Sequence, residues 1–180
     1  MTSPTPSAPA SGLVYADVPN RVIAFIIDAI VIAVIMVLVT IVLGAIGLAA
    51  GMFGSTNGTF VVSVVYSIVS VLIGAGYFIY TWTSMRATVG MRALGMQIGN
   101  AADGATLTQD QAIRRYLALA APGIVGGALS GLPVIGLLLS LVSLGWVIYL
   151  LYTTAQSPTK QGFHDVFAGT MVVKAAKSVV

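Results

Sequence analysis

The almost wholly apolar run from Val22 to Leu43, with Asp28 its one charged residue, constrains this chain more than any other feature. At about 1.5 Å per residue, a helix of that length crosses the roughly 30 Å hydrocarbon core of a bilayer. Arg21 stands at its threshold, and Asp28 lies about two turns further in, on nearly the same helix face. A carboxyl group at the centre of a membrane helix costs about 2.5–3.5 kcal/mol on insertion scales, and somewhat less near the end. Asp28 must therefore face a partner, a water-filled cavity or a proton.

The rest of the composition agrees. Of the 180 residues, 58% are hydrophobic and only 7% charged, against about 25% charged in a soluble domain. This is an integral membrane protein with room for one domain. The chain has no Cys and one His, and no Glu. That excludes disulfides, thiolate metal sites, cysteine nucleophiles and multi-histidine metal centres, and no cofactor is expected. The net charge of +3 comes without a cluster of basic residues and aromatics, so nucleic acid is not an expected partner. The lipid bilayer is.

Residues 1–18 read as a disordered N-terminal tail, because Met1 to Ser11 holds no charged side chain and is mostly Thr, Ser, Pro and Ala. It lacks the basic start of a secretory signal, and the apolar run behind it is too long for one. Leu13 to Pro19 is a short approach, and Asn20 is placed to cap the first helix. A membrane domain then covers 19–174, with spans at about 21–43, 60–83, 112–130 and 133–153, and a tail at 175–180. The aromatics Tyr77, Phe78, Tyr80 and Trp82 resemble an interfacial belt at the end of the second span.

Between the second and third spans the chain changes character. Met91 to Ile98 partly alternates, and Asn100 to Gly104 is turn chemistry, which predicts a small hairpin at the membrane surface. Thr108-Gln-Asp-Gln111 predicts a capped helix start just before Arg114 and Arg115. Gly169 to Lys174 has the β-propensity of a strand that pairs with Met91–Ile98. The third span is the least apolar, and counted from Tyr116 it is short enough to be re-entrant. Charge favours spanning. With four spans, the loops at 44–59 and 131–133 carry no Lys or Arg, and all eight basic residues fall on the opposite side. The positive-inside rule then puts both termini in the cytoplasm. The expected fold is an all-α, four-transmembrane-helix bundle with a small cytoplasmic cap, made of a short β-hairpin plus a C-terminal strand.

Three pieces now stand together: Arg21-x-x-Ala-Phe-x-x-Asp28; Thr88-Val-Gly-Met-Arg92-Ala-Leu-Gly95 with Asp103-Gly104 and Arg114 downstream; and Gly162-Phe-His-Asp165-x-x-Ala-Gly-Thr170. In order, spacing and membrane context they resemble the RDD family of integral membrane proteins, over about Pro19 to Lys174. The one arginine and two aspartates for which that family is named map to Arg21, Asp28 and Asp165. Met91 departs from the pattern, because many members carry a lysine there. The resemblance implies a small membrane protein for which transport of solutes or ions has been suggested. With the Ala/Val/Gly-rich composition, it also implies a bacterial cytoplasmic (inner) membrane.

The candidate charge network is Arg21, Asp28, Asp165, Arg92, Arg114 and Arg115. Asp28 reads equally well as a titrating transport carboxylate or as the buried half of an ion pair with Arg21. Asp165 is expected to cap a short turn or to pair with Arg92, Arg114 or Arg115. His164 reads as a surface histidine, and no catalytic constellation is visible, so an enzyme is not expected. Gly123, Gly127 and Gly131 form a small-residue ladder suited to helix packing within the bundle or in a homo-oligomer, as do Gly47 and Gly51. Two functions follow: proton- or cation-coupled transport of an ion or small solute using Asp28, or a non-catalytic accessory or scaffold subunit of a larger membrane complex.

Overall fold

The computed structural model describes residues 13–128 and 133–175. The N-terminal tail before Leu13, Gly131 and the last five residues, Lys177 among them, lie outside these. The described chain is mostly helical. In order it runs β1 (Leu13–Tyr15), α1 (Val18–Ala49), a 3-10 turn (Met52–Gly54), α2 (Thr56–Ser84), α3 (Val89–Ala93), β2 (Met96–Asn100), α4 (Gln109–Ala128), α5 (Pro133–Gln156), α6 (Phe163–Ala168) and β3 (Thr170–Ala175).

Among the described residues, three stretches are long and apolar enough to cross a membrane: Val18–Ala49, Thr56–Ser84 and Leu137–Gln156. The helix expected at 112–130 is α4. It begins at Gln109, and its opening turns carry Asp110, Arg114 and Arg115, so its composition sets it apart from those three. Successive long helices run antiparallel. Asp28 of α1 meets Tyr77 of α2, while Gly47 lies against Val62. Tyr116 of α4 donates to the Val71 carbonyl of α2, and Trp146 of α5 donates to the Ala118 carbonyl of α4. That last bond has a covalent cause. Pro122 lies inside α4 and has no N–H to offer the carbonyl four residues earlier, which is Ala118. The indole of Trp146 takes the vacancy at 2.9 Å.

Helix starts follow local chemistry. Thr108 and Gln111 form a capping box, with Gln111 N–H donating to Thr108 Oγ1 at 3.2 Å and Thr108 N–H donating to Gln111 Oε1 at 3.1 Å. The first helix begins earlier than expected, at Val18 with Asp17 in the N-cap position and Pro19 in the first turn, so Asn20 is not the cap.

The cap differs from a hairpin plus a strand. It is a three-stranded antiparallel sheet of order β1-β3-β2, with the C-terminal strand in the centre. The expected pairing between the central segment and the tail is present, and Ile98 sits opposite Val172. The hairpin is absent for two reasons. Val89–Ala93 is helical, its start fixed by the Thr88 side chain accepting from Met91 N–H. The outer edge of β2 is also spent: Ile98 N–H donates to the Arg86 carbonyl and Asn100 N–H to that of Ala105. The approach segment contributes the third strand, so order begins well before Pro19.

Beneath the sheet lies a core of Ala16, Ala24, Trp82, Met96, Ile98, Leu107, Ala112, Tyr116 and Val172. Only Tyr80 of the expected aromatic belt is freely exposed. Trp82 is fully buried, and Phe78 packs between it and Tyr116, with ring centroids 5.2 and 6.2 Å away.

Candidate functional site

Two buried carboxyl groups join the cap to the long helices. The first is Asp28, 3% exposed. It does not pair with Arg21. Its Oδ1 accepts from the Tyr77 hydroxyl at 2.6 Å and from the Gly90 N–H at 2.8 Å, and its Oδ2 accepts from the Thr88 hydroxyl at 2.6 Å. The direction of the hydroxyl bonds is fixed by their other partners. Tyr77 Oη accepts from Val89 N–H and Thr88 Oγ1 from Met91 N–H, so each hydroxyl directs its single proton at Asp28. In effect Asp28 holds the first turn of α3, and α3 covers it. At roughly 0.5–1.5 kcal/mol net apiece, three such bonds are of the same order as the cost of placing the group in a membrane helix.

Close approach makes this joint possible. A Cβ on Gly90 would collide with the backbone carbonyl of Ala24, one helical turn before Asp28. Only glycine lets α3 lie directly on α1 there.

The second carboxyl is Asp165, fully buried on α6. Its Oδ2 binds Arg21 Nη1 at 2.6 Å. Its Oδ1 pairs with Arg115 Nη1, which also donates to Thr170 Oγ1 at 2.6 Å. Oδ2 accepts in addition from Gly162 N–H at 3.2 Å, closing the start of α6. One carboxylate thus joins α1, α4, α6 and the first residue of β3. Arg115 is itself buried over the Trp82 ring, its Cζ 5.1 Å from the centroid, a cation–π contact of about 0.5–2 kcal/mol. Arg21 is further fixed by donating from Nε to the Ala16 carbonyl at 3.1 Å. At its far end α6 stops at Gly169, whose φ of +65° is the left-handed cap that glycine adopts without strain.

His164 is not a surface residue. It is 8% exposed, and its Nε2 lies 3.5 Å from Asp165 Oδ2. Burial, then the guanidiniums of Arg115 and Arg21, hold its pKa well below the ordinary 6.5.

Of the expected network, Arg21, Asp165 and Arg115 come together, and Asp28 forms a separate joint. Arg114 pairs instead with Asp110 at 2.5 Å on the exposed side of α4. Arg92 is exposed, with no ion pair among the described residues. Within this chain, Gly123 at the described start of the glycine ladder is not a close contact between helices, since a Cβ there would meet nothing. Gly126, off that ladder, faces Leu139, and Gly74 accommodates the Tyr116 hydroxyl. Tyr77, Thr88, Gly90, Trp82 and Thr170 were not singled out as site residues by sequence. Thr88, Gly90 and Thr170 do fall inside the motifs quoted above.

A cleft of about 300 Å³ lies between α2, α4 and α5, lined by residues including Ser70, Tyr116, Pro122, Ser143 and Trp146. Its polar groups are engaged within the protein. The hydroxyls of Ser70 and Ser143 donate to the Ser67 and Leu139 carbonyls, and Tyr116 and Trp146 donate to backbone as above. Among the described residues, no group of three or more His, Cys, Asp or Glu could hold a metal ion.

Comparison with known proteins gives one positive finding. The model of the RDD family matches residues 15–169. No curated protein and no solved structure matches.

Proposed function

Because the chain belongs to the RDD family, whose motif residues are those just described, we propose that it is a non-enzymatic scaffold or accessory subunit of a larger membrane assembly. One observation carries this reading: the carboxyls of Asp28 and Asp165 are both spent in joints that fasten the cap to the bundle. Asp28 has Tyr77, Thr88 and Gly90, and Asp165 has Arg21 and Arg115. A permeation path along Asp28 would have to break three hydrogen bonds and lift α3 from α1. The reading includes a fourth crossing by α4. At 20 residues it is about 30 Å long, and it lies antiparallel between α2 and α5. Four crossings put Arg21, the arginines of the central segment and Lys160 and Lys174 on one side, which is the cytoplasmic side of a bacterial inner membrane by the positive-inside rule.

Transport is the second reading, supported by Asp28 being the one acidic side chain within the three apolar spans. The experiment that separates them is affinity purification of the tagged chain from its native membrane with quantitative stoichiometry. Other membrane proteins recovered at a fixed ratio support the scaffold reading. Recovery of this chain alone or as a homo-oligomer, together with a flux that needs Asp28, would replace it with transport.

A further inference from the structure

Helix α6 has two unlike faces. His164, Asp165 and Ala168 are buried against the bundle. Phe163, Val166 and Phe167 are 39%, 67% and 54% exposed. In a six-residue helix at the end of the chain's last span, three large apolar side chains on the outer face need a covering.

Position along α5 says what covers them. Phe163 N–H donates to Thr153 Oγ1 at 3.1 Å, so the start of α6 is level with a residue about 5 Å short of the end of α5 at Gln156. The Phe163 ring then reaches back along the span, 5.7 Å from the Trp146 ring and 6.0 Å from that of Tyr149. Trp146 lies ten residues, or about 15 Å, before Gln156. Phe167 stacks on Phe163 at 6.0 Å. The exposed face of α6 is therefore continuous with the exposed Tyr149 and Tyr152 of an apolar helix long enough to cross a membrane. Lys160, whose Nζ donates to the Ala155 carbonyl at 3.1 Å, marks the end of that helix with a cation.

We propose that α6 is an interfacial wedge, with Phe163, Val166 and Phe167 seated among lipid at the boundary of headgroups and acyl chains, in the leaflet on the side of the cap. Aromatic side chains at that depth and a basic side chain beside them match what the interface selects. The wedge is held from behind by Asp165, so the same short helix fastens the cap to the bundle and the bundle to the bilayer surface. This inference is independent of whether the protein transports or scaffolds.

The chain has no cysteine, so single-cysteine variants need no background substitution. Val166→Cys and Phe167→Cys carry a nitroxide label in nanodiscs of phosphatidylethanolamine and phosphatidylglycerol, with Ala102→Cys in the exposed turn after β2 as the aqueous reference. Power saturation then compares access of oxygen with that of a water-soluble nickel chelate. The expected result is oxygen access several-fold above nickel access at 166 and 167, and the reverse order at 102. Nickel-dominated access at 166 and 167 would overturn the proposal by placing the face in water. Immobilised labels that neither reagent reaches would overturn it too, and dipolar broadening that disappears on dilution with unlabelled protein would identify the covering as a second copy. The replaced side chains are exposed, and a monodisperse elution matching the parent establishes that each variant is folded.

Discussion

Replacing Asp165 by Asn should be the most damaging isosteric change available in this chain. The side chain keeps its shape but loses the charge that faces two guanidiniums, Arg21 Nη1 at 2.6 Å and Arg115 Nη1 on the other oxygen. One amide oxygen cannot serve both donors, and the new NH₂ group points its protons at a cation. Asp165 is fully buried and Arg115 nearly so, so solvent does little to screen the exposed charges. Removing one partner of a buried ion pair costs about 3–5 kcal/mol. For a chain of this size that is a fall of roughly 6–20 °C in Tm, at about 2–4 °C per kcal/mol. The assay is thermal unfolding of parent and variant in the same nanodiscs, followed by tryptophan fluorescence, which reports Trp82, lying against Arg115, together with Trp146. A cycle with Arg115→Met should show a coupling of about 1–3 kcal/mol, because once Arg115 is gone Asp165 has only Arg21 to neutralise. A single-variant loss within about 0.5 kcal/mol, the range of an ordinary surface change, would refute the argument that Asp165 fastens the cap.

Gly90→Ala should cost about 1–3 kcal/mol by overpacking, because the new methyl meets the Ala24 backbone rather than a movable side chain; melting of the variant in nanodiscs checks this. Trp146→Phe should cost about 1–3 kcal/mol by leaving the Ala118 carbonyl unsatisfied. The loss should shrink when Pro122→Ala restores the N–H that α4 lacks, a non-additivity read from the two single variants and the double. Acid should weaken the protein through His164. Its folded pKa lies well below 6.5, while the unfolded chain takes its proton near the ordinary value of about 6.5. Stability is then whole above about pH 6.5 and declines as pH falls from there towards the folded pKa. His164→Gln, with no proton to gain, should flatten the slope of Tm between about pH 7 and 5; an unchanged slope would place the sensitivity elsewhere.

What the sequence disclosed depended on how local the cause was. Hydropathy marked the apolar spans, Thr108 and Gln111 announced the start of α4, and the β-branched run after Gly169 announced a strand. Each is a property of a few neighbouring residues. The charge network was legible only in part: Arg21, Asp165 and Arg115 do meet, whereas Arg114 pairs with Asp110 and Asp28 forms a joint of its own. Arg21 and Asp28 share a helix face, yet seven residues of helix separate them by about 10 Å. Each is claimed by groups delivered from 49 to 144 residues away in sequence. Trp82 looked like a belt residue because aromatics at a span end serve either use; the long-range approach of α4 and the sheet decided it. Leu13–Tyr15 looked like tail because three residues carry too little pattern to declare a strand whose partner is the other end of the chain. His164 read as surface because a lone histidine in a polar stretch carries no local sign of the Arg115 and Arg21 guanidiniums, which come from segments 49 or more residues earlier.

The claim that these charges fasten the fold, and do not carry a substrate, is tested most directly by flux. Parent chain and Asp28→Asn are reconstituted in liposomes at matched folded amounts and challenged with proton, sodium and potassium gradients. The account predicts no flux above protein-free liposomes from either protein, and a lower Tm for the variant because α3 loses part of its hold on α1. A flux in the parent that disappears in a folded Asp28→Asn variant would contradict it and put Asp28 on a transport path.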